Sequence, residues 1–353
     1  MSGFGKWLEE RSPSGEIVKF LRRKRVPAHR HTSWYLFGGL TLFFFLIQVI
    51  SGILLSLYYQ PTPATAHESV AEIMSAVGFG WLVRGVHRWS SHLLIFSAMV
   101  HMTSKYFFRA YRKPRELTWI SGVLLMLMLL GFAFTGHLLP WDTNGYFATQ
   151  IGTEIPRSLP VIGTFLVELL RGSGEYVDAT ALTRLYSLHT VVLPLIAVGL
   201  ILFHIVLNQF TGSAAPANVR ASGEIPFYPD FVFRDALAWL VGVMLLFSLV
   251  MFFPPLLGPK ADMLASPPPG IRPEWYFLPL FQTIRVLPGT LAGINTEILI
   301  NLVVAILFMG LICLPWIDRM AGRNGGRVWA LLRFTGVVML VYIGATILLA
   351  YLT

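Results

Sequence analysis

Seven runs of about twenty largely apolar residues dominate the sequence, each long enough to cross a hydrocarbon core of roughly 30 Å as a helix. They are Trp34–Tyr58, Trp89–Phe107, Leu117–Leu139, Leu185–Phe210, Ala236–Phe253, Ile298–Trp316 and Val328–Leu352. In lipid each backbone N–H and C=O must find its partner inside the protein, and for segments of this length that means helices. The expected fold is therefore an all-α integral membrane protein with seven transmembrane helices. A soluble two-domain reading fails, because 55% of the 353 residues are hydrophobic and only 13% are charged.

The net charge of +9 would suit a nucleic-acid binder, but its placement excludes one. Eight Lys or Arg precede the first run, and five lie between Lys105 and Arg115. Arg220, Arg234, Arg319, Arg323 and Arg327 fall in later loops that lie on the same side if the helices alternate. By the positive-inside rule that side is the cytoplasm, so the N-terminus is expected to be cytoplasmic, as in a bacterial inner membrane. The basic charge reports topology.

Residues 1–33 contain no apolar core, so no cleavable signal peptide is expected. Trp7, Leu8, Ile17, Val18, Phe20 and Leu21 among basic residues read instead as a helix on the cytoplasmic surface. The single cysteine, Cys313, excludes an internal disulfide and a Cys-x-x-Cys-His haem attachment. A polar stretch from Thr211 to Asp235 divides the runs. This gives a surface segment (1–33), a four-helix unit (34–215) and a three-helix unit (216–353). Two long loops, Trp141–Arg184 and Pro254–Glu297, lie on the side opposite the cytoplasm, the trans side, and such lengths are usually functional.

Nine histidines are present, and four demand an explanation. His87 and His101 are 14 residues apart on the second run, about 40° from one face and some 21 Å along the axis. His189 and His204 are 15 apart on the fourth, about 60° out and roughly 22 Å along. Antiparallel packing sets His87 level with His189 and His101 level with His204. Ionisable side chains at depth are costly, and two level imidazole pairs can each clamp a porphyrin iron from both faces. Gly38 and Gly52 on the first run and Gly122 and Gly136 on the third repeat the 14-residue step. Each haem would then have a glycine on either flank, where a missing Cβ admits a flat macrocycle. His92 lies about 140° from His87 and is not expected to be a ligand, while His29, His31 and His67 fall outside the runs.

With these motifs the chain resembles the cytochrome b of the cytochrome bc family over nearly its whole length. Arg84-Gly-Val-His-Arg-Trp-Ser, Lys113-Pro-Arg-Glu-Leu-Thr-Trp and the 15-residue histidine spacing are similar to the b6f branch. Leu139-Pro-Trp and Thr183-Arg-Leu-Tyr-Ser-Leu-His-Thr match the family too, and Pro273-Glu-Trp-Tyr matches its quinol-site signature. There are departures. Where the b6f branch has a cysteine for a third, covalent haem and an arginine beside it, this chain has Leu36 and Gln209. Ile225-Pro-Phe-Tyr-Pro and Arg234-Asp235 look more like the bc1 branch at its cytoplasmic quinone site. His137 stands where the family often has Tyr, and reads as a polar substitution with a possible effect on the trans-side haem.

The resemblance implies two non-covalent b haems and quinol oxidation on the trans side, as in respiratory or photosynthetic electron transport. One electron would go to a Rieske iron–sulfur partner and a c-type cytochrome. The other would cross by way of His87/His189 and His101/His204 to reduce quinone on the cytoplasmic side, with proton translocation. It implies a homodimer within a larger complex. Glu274 is the candidate quinol-proton acceptor with Tyr276 in support, and Asp235 the candidate proton donor to quinone. Arg84 and Arg88 flank His87 as candidate propionate partners, though each could equally anchor the interface. Two rivals differ in testable ways. A di-haem anchor joining a dehydrogenase to quinone has no need of the second unit or its Pro-Glu-Trp-Tyr loop, and a proton transporter would show no reduced b-haem band.

Overall fold

The computed structural model describes every residue except 1, 2, 4–6, 8, 9, 13, 173, 175, 217, 218, 220, 221, 321–325 and 353. Leu8, Arg220 and Arg323, invoked above, lie outside the described residues. The described residues are mostly helical. A short helix α1 (Ser14–Arg23) leads into strand β1 (Arg25–Ala28), then α2 (Leu36–Ser56), α3 (Ala66–Ser75), α4 (Gly80–Phe107) and α5 (Glu116–His137). Next come α6 (Thr143–Arg157), α7 (Gly163–Arg171) and the long α8 (Ala179–Thr211). After β2 (Gly223–Pro226) follow α9 (Val232–Phe252), α10 (Leu278–Val286), the hairpin β3 (Thr290–Leu291) and β4 (Ile294–Asn295), α11 (Thr296–Met320) and α12 (Gly326–Leu352).

Among the described residues six helices, α2, α5, α8, α9, α11 and α12, are each long and apolar enough to cross a membrane. The seventh, α4, has 28 residues but carries Arg84, Arg88 and three histidines. It qualifies only when counted with α3, to which it is joined at a bend of 113°. The protein is an integral membrane protein, and its outer helix faces show it. Leu195 is 71% exposed and Phe210 84%, apolar surface that only lipid or another apolar partner can cover.

The spans α2, α4, α5 and α8 form the first bundle, with α2 packed along α4 and α8 along α5. Helix α9 lies against α2 and α4, while α11 touches α5 and α10 packs on α12. Phe44, Leu94, Ile95, Leu129, Leu246 and Val250 make the buried core where α9 meets the bundle. The two long loops of the sequence reading carry structure of their own. Asp142 accepts from Gly145 N at 2.8 Å to cap α6, and Asp178 accepts from Thr180 N and Ala181 N to cap α8. The antiparallel pair β1–β2, with Val26 opposite Ile225, ties the N-terminal segment to the linker before α9.

Helix α8 contains a π turn at Leu188–Val192, around His189. Pro194 just beyond has no N–H to give, which weakens the regular ladder at this point. A π turn takes up one extra residue, so the 15-residue step from His189 to His204 acts as 14 and returns both rings to one face.

Part of the basic charge is structural. Asp318, fully buried on α11, receives Arg109, also with Nε at 3.1 Å, and Arg112 Nε at 2.6 Å. Arg115 donates to the carbonyls of Thr211 and Gly212 at 3.0 Å each. Removing one partner of a buried pair typically costs about 3–5 kcal/mol. Arg112 is 44% exposed and contributes little, so the low end is expected for Asp318→Ala. The measurement is the Tm of the detergent-solubilised complex: a fall of several degrees is expected, and an unchanged Tm would show that the knot is not stabilising.

Candidate functional site

The four histidines selected by spacing meet as two pairs. His87 on α4 and His189 on α8 have ring centroids 6.4 Å apart, and His101 and His204 are 6.5 Å apart. A metal–imidazole bond of about 2 Å on either side, plus roughly 1.1 Å from nitrogen to ring centre, would put two axial imidazoles about 6.2 Å apart. The observed gaps match a single iron between each pair. In both, the ring planes are inclined by 73°.

Three of the rings are also fixed in tautomer. Ser51 Oγ donates to Ile47 O and lies 2.9 Å from His87 Nδ1. Ser121 Oγ donates to Thr118 O and lies 2.9 Å from His204 Nδ1. Thr135 Oγ1 donates to Gly131 O and lies 3.1 Å from His189 Nδ1, which also faces Phe132 O at 3.1 Å. Each hydroxyl proton is committed to a carbonyl of its own helix, so the oxygen can only accept from the ring. Nδ1 must therefore carry the hydrogen, leaving the Nε2 lone pair for a metal. Sequence reasoning missed these three hydroxyls. The signal is plain in retrospect: each precedes one of the four glycines directly, as Ser51-Gly52, Ser121-Gly122 and Thr135-Gly136. At the fourth the neighbour is Phe37, and the buried Nδ1 of His101 has no hydrogen-bond partner.

The glycines serve a closer purpose than flanking a macrocycle. A Cβ on Gly136 would sit 2.7 Å from His189 Cε1, and on Gly38 3.0 Å from His101 Cε1. On Gly52 and Gly122 it would lie 3.3 Å from the Cε1 of His87 and His204. Each glycine gives way to the imidazole edge itself. Around His87 and His189 lies a cavity of about 370 Å³ whose lining includes Gly52, Gly136, Arg84, Arg88 and Tyr276. The donor set, the gaps and the glycine clearances fit b-type haem held by two imidazoles.

The arginines are engaged elsewhere. Arg84 donates to Pro255 O at 2.7 Å. Arg88 makes a close ion pair with Glu274. Glu274 also draws in the two histidines that the spacing argument set aside. His137 Nδ1 lies 3.4 Å from one carboxylate oxygen and His92 Nε2 3.7 Å from the other. Trp275 Nε1 donates to His92 Nδ1 at 3.2 Å, which leaves the Nε2 hydrogen of His92 facing the carboxylate. Burial pushes the Glu274 carboxyl up, but the Arg88 guanidinium, with the imidazoles of His137 and His92, outweighs it and holds it below its ordinary value. Burial likewise pushes the Tyr276 phenol up, so it stays protonated as a hydrogen-bond donor. His92 and His137 were legible only as departures from helix-face geometry and family pattern; the loop that carries Glu274 folds back onto them from far along the chain.

Asp235 sits at the other end of the bundle. A Cβ on Gly39 would lie 2.8 Å from its Oδ1, and that oxygen is buried without a hydrogen-bond partner. The neighbouring glycines of α2 thus receive two candidate residues, Gly38 facing His101 and Gly39 facing Asp235. Close by, Lys24 donates to Gln209 Oε1 at 2.8 Å.

Comparison with known proteins agrees with this geometry. Residues 22–212 match the family model described as Cytochrome b/b6/petB, and residues 260–353 match Cytochrome b(C-terminal)/b6/petD. A cytochrome bc complex cytochrome b subunit from Chlorobaculum thiosulfatiphilum is 46% identical over 284 residues, 79% of this chain and 66% of that protein. Cytochrome b6 from Gracilaria tenuistipitata var. liui is 44% identical over 60% of this chain and 97% of its own length. A solved structure titled hyperthermophilic respiratory Complex III superposes with a TM-score of 0.83 at 27% identity, covering 98% of this chain and 91% of that one. With matched imidazole pairs at its centre and family models spanning most of its length, the chain belongs to the cytochrome b family.

Proposed function

We propose that this chain is the cytochrome b subunit of a quinol:cytochrome c oxidoreductase of the bc type. It oxidises quinol at the end that holds Glu274 and reduces quinone at the end that holds Asp235. The observation that carries the reading is the pair of level imidazole couples, three of their rings held with Nε2 free. His87 with His189 and His101 with His204 would hold two non-covalent b haems, which supply one-electron carriers when bound. Gly38, Gly52, Gly122 and Gly136 clear the space in which those rings stand.

At the quinol end, the Glu274 carboxylate is ionised in the resting protein and is the base that takes a proton from the quinol hydroxyl. Tyr276, protonated, donates a hydrogen bond that orients the ring. Arg88 holds the carboxylate in place; it and Arg84, which is bonded to Pro255 O, both line the His87/His189 cavity and would be the candidate partners of haem propionates. At the opposite end Asp235, half-buried near the start of α9, is the proton donor to quinone. The quinol end faces the positive side of the membrane and the N-terminus the negative side, the cytoplasm of a bacterial cell. The four-helix (34–215) and three-helix (216–353) units act as separate domains, the first for the haems and the second for the quinol loop. A Rieske iron–sulfur protein and a c-type cytochrome accept the other electron, within a dimeric bc-type complex.

The test is the haem complement. The purified complex should show a dithionite-reduced b-haem band with two haems per chain, and acid–acetone should extract all of it, because Leu36 of α2 stands where the b6f branch has its attaching cysteine. A spectrum without b haem would overturn the reading, and haem left on the polypeptide after extraction would overturn the non-covalent assignment.

A further inference from the structure

His137 lies between Glu274 and a second cavity. Its Nδ1 is 3.4 Å from the Glu274 carboxylate, and its Nε2 is 3.4 Å from the amide nitrogen of Asn144. The ring is only 10% exposed and Glu274 14%. The second cavity, about 390 Å³, is lined by His137, Asn144, Asp142, Arg84 and Arg88, and its rim includes Leu256, which is 84% exposed. Glu274 itself does not line this cavity, although Arg88, His92 and His137, all three of the groups that surround the carboxylate, do. A proton deposited on Glu274 therefore has the His137 ring between it and the polar space.

We infer that His137 is the relay that takes the quinol-derived proton from Glu274 and passes it into the cavity lined by Asn144 and Asp142. The step moves one proton and no electrons. With the ring as the Nε2–H tautomer, the Glu274 O–H bond breaks as Nδ1–H forms, giving an imidazolium. Its Nε2–H then breaks, the proton passes to water in the cavity, and movement of the ring hydrogen from Nδ1 back to Nε2 resets the relay. Asn144 suits this role, because an amide offers both a donor and an acceptor and so can bond the ring in either tautomer. Arg88 cannot do the same work, since a guanidinium does not give up its proton at any working pH. His92 faces the carboxylate too, but its Nδ1 is held by Trp275, so its far side has no outlet.

The inference rests on Glu274 as the quinol's proton acceptor, and the experiment separates the two claims. The intact complex carrying His137→Ala, His137→Gln or Glu274→Gln is assayed with a soluble benzoquinol and a c-type cytochrome, with the reduced spectrum verifying both haems. His137→Ala is expected to slow turnover about tenfold, less than the roughly 10²–10⁴ that a lost general acid or base costs, because water fills the gap in part. Added imidazole should restore most of that loss, and none of the loss in Glu274→Gln. His137→Gln, which can hydrogen-bond the carboxylate but cannot carry a proton, should be as slow as the alanine variant. It also serves as the test if the alanine variant fails to assemble. The double variant should be no slower than Glu274→Gln alone, since the two groups act in series. Wild-type turnover in His137→Ala, or full activity in His137→Gln, would overturn the relay and leave Glu274 standing. Wild-type turnover in Glu274→Gln would remove both.

Discussion

Complexes carrying His101→Leu or His204→Leu should contain half the b haem of the parent, with the remaining haem still reducible by quinol. Leucine fills much of the volume of an imidazole but has no lone pair, so the iron at that level would keep a single axial ligand. The two levels are independent in structure. His101 and His204 are hemmed by Gly38 and Gly122, while His87 and His189 have their own glycines and hydroxyls some four turns away. Losing one site therefore leaves the other intact. His92→Leu is the control: His92 is bonded to Trp275 and faces Glu274, so both haem bands should survive. Redox difference spectra on the purified variants decide it. A haem lost from His92→Leu, or retained at full stoichiometry in His101→Leu, would break the pairing.

The second large effect is expected from Glu274→Gln. Quinol must shed two protons with its two electrons, and a site this enclosed offers few other bases. Losing a general base costs about 10²–10⁴ in rate. The low end is expected, because His92 stands within reach of the vacated position and water can substitute in part. The wild-type carboxyl is held below its ordinary value, so it is already ionised at neutral pH and its own titration should limit turnover only in acid, below about pH 4.5. The glutamine variant should lose this acid limb and run slow throughout. Haem content should not change, and neither should haem reduction driven from the Asp235 end, which serves as an internal control. Turnover against pH at the parent's rate would remove Glu274 from the catalytic list.

How much of this was legible in sequence depends on the range of the interaction. Lipid forces every long apolar run into the same structure, so six of the spans could be read from composition alone. Helix α4 was harder, because the residues that give it a function are the ones that lower its hydropathy. The histidine pairs were legible because helical periodicity is strict, and even the awkward 15-residue step had a cause in the sequence, Pro194 beside the π turn. What sequence could not give was the neighbourhood of Glu274. His92 and His137 lie on different helices, and the loop that meets them begins more than a hundred residues after the second. The surface charge was half understood: Arg109 and Arg112 do mark one side of the bundle, but a buried Asp318 two hundred residues away also claims them.

The hydroxyls that bond the imidazoles belong to other helices than the rings do. Ser51 on α2 fixes His87 of α4, and Ser121 and Thr135 on α5 fix His204 and His189 of α8. At these three rings the nitrogen that would be presented to iron is thus decided by the pairing of helices, not by the ligand-bearing helix alone. A bundle with one helix out of register would offer the wrong tautomer, or no fixed tautomer, at the same histidine. Capture of haem would in this way also check assembly, since the fixed Nε2 lone pairs exist only where α2 meets α4 and α5 meets α8.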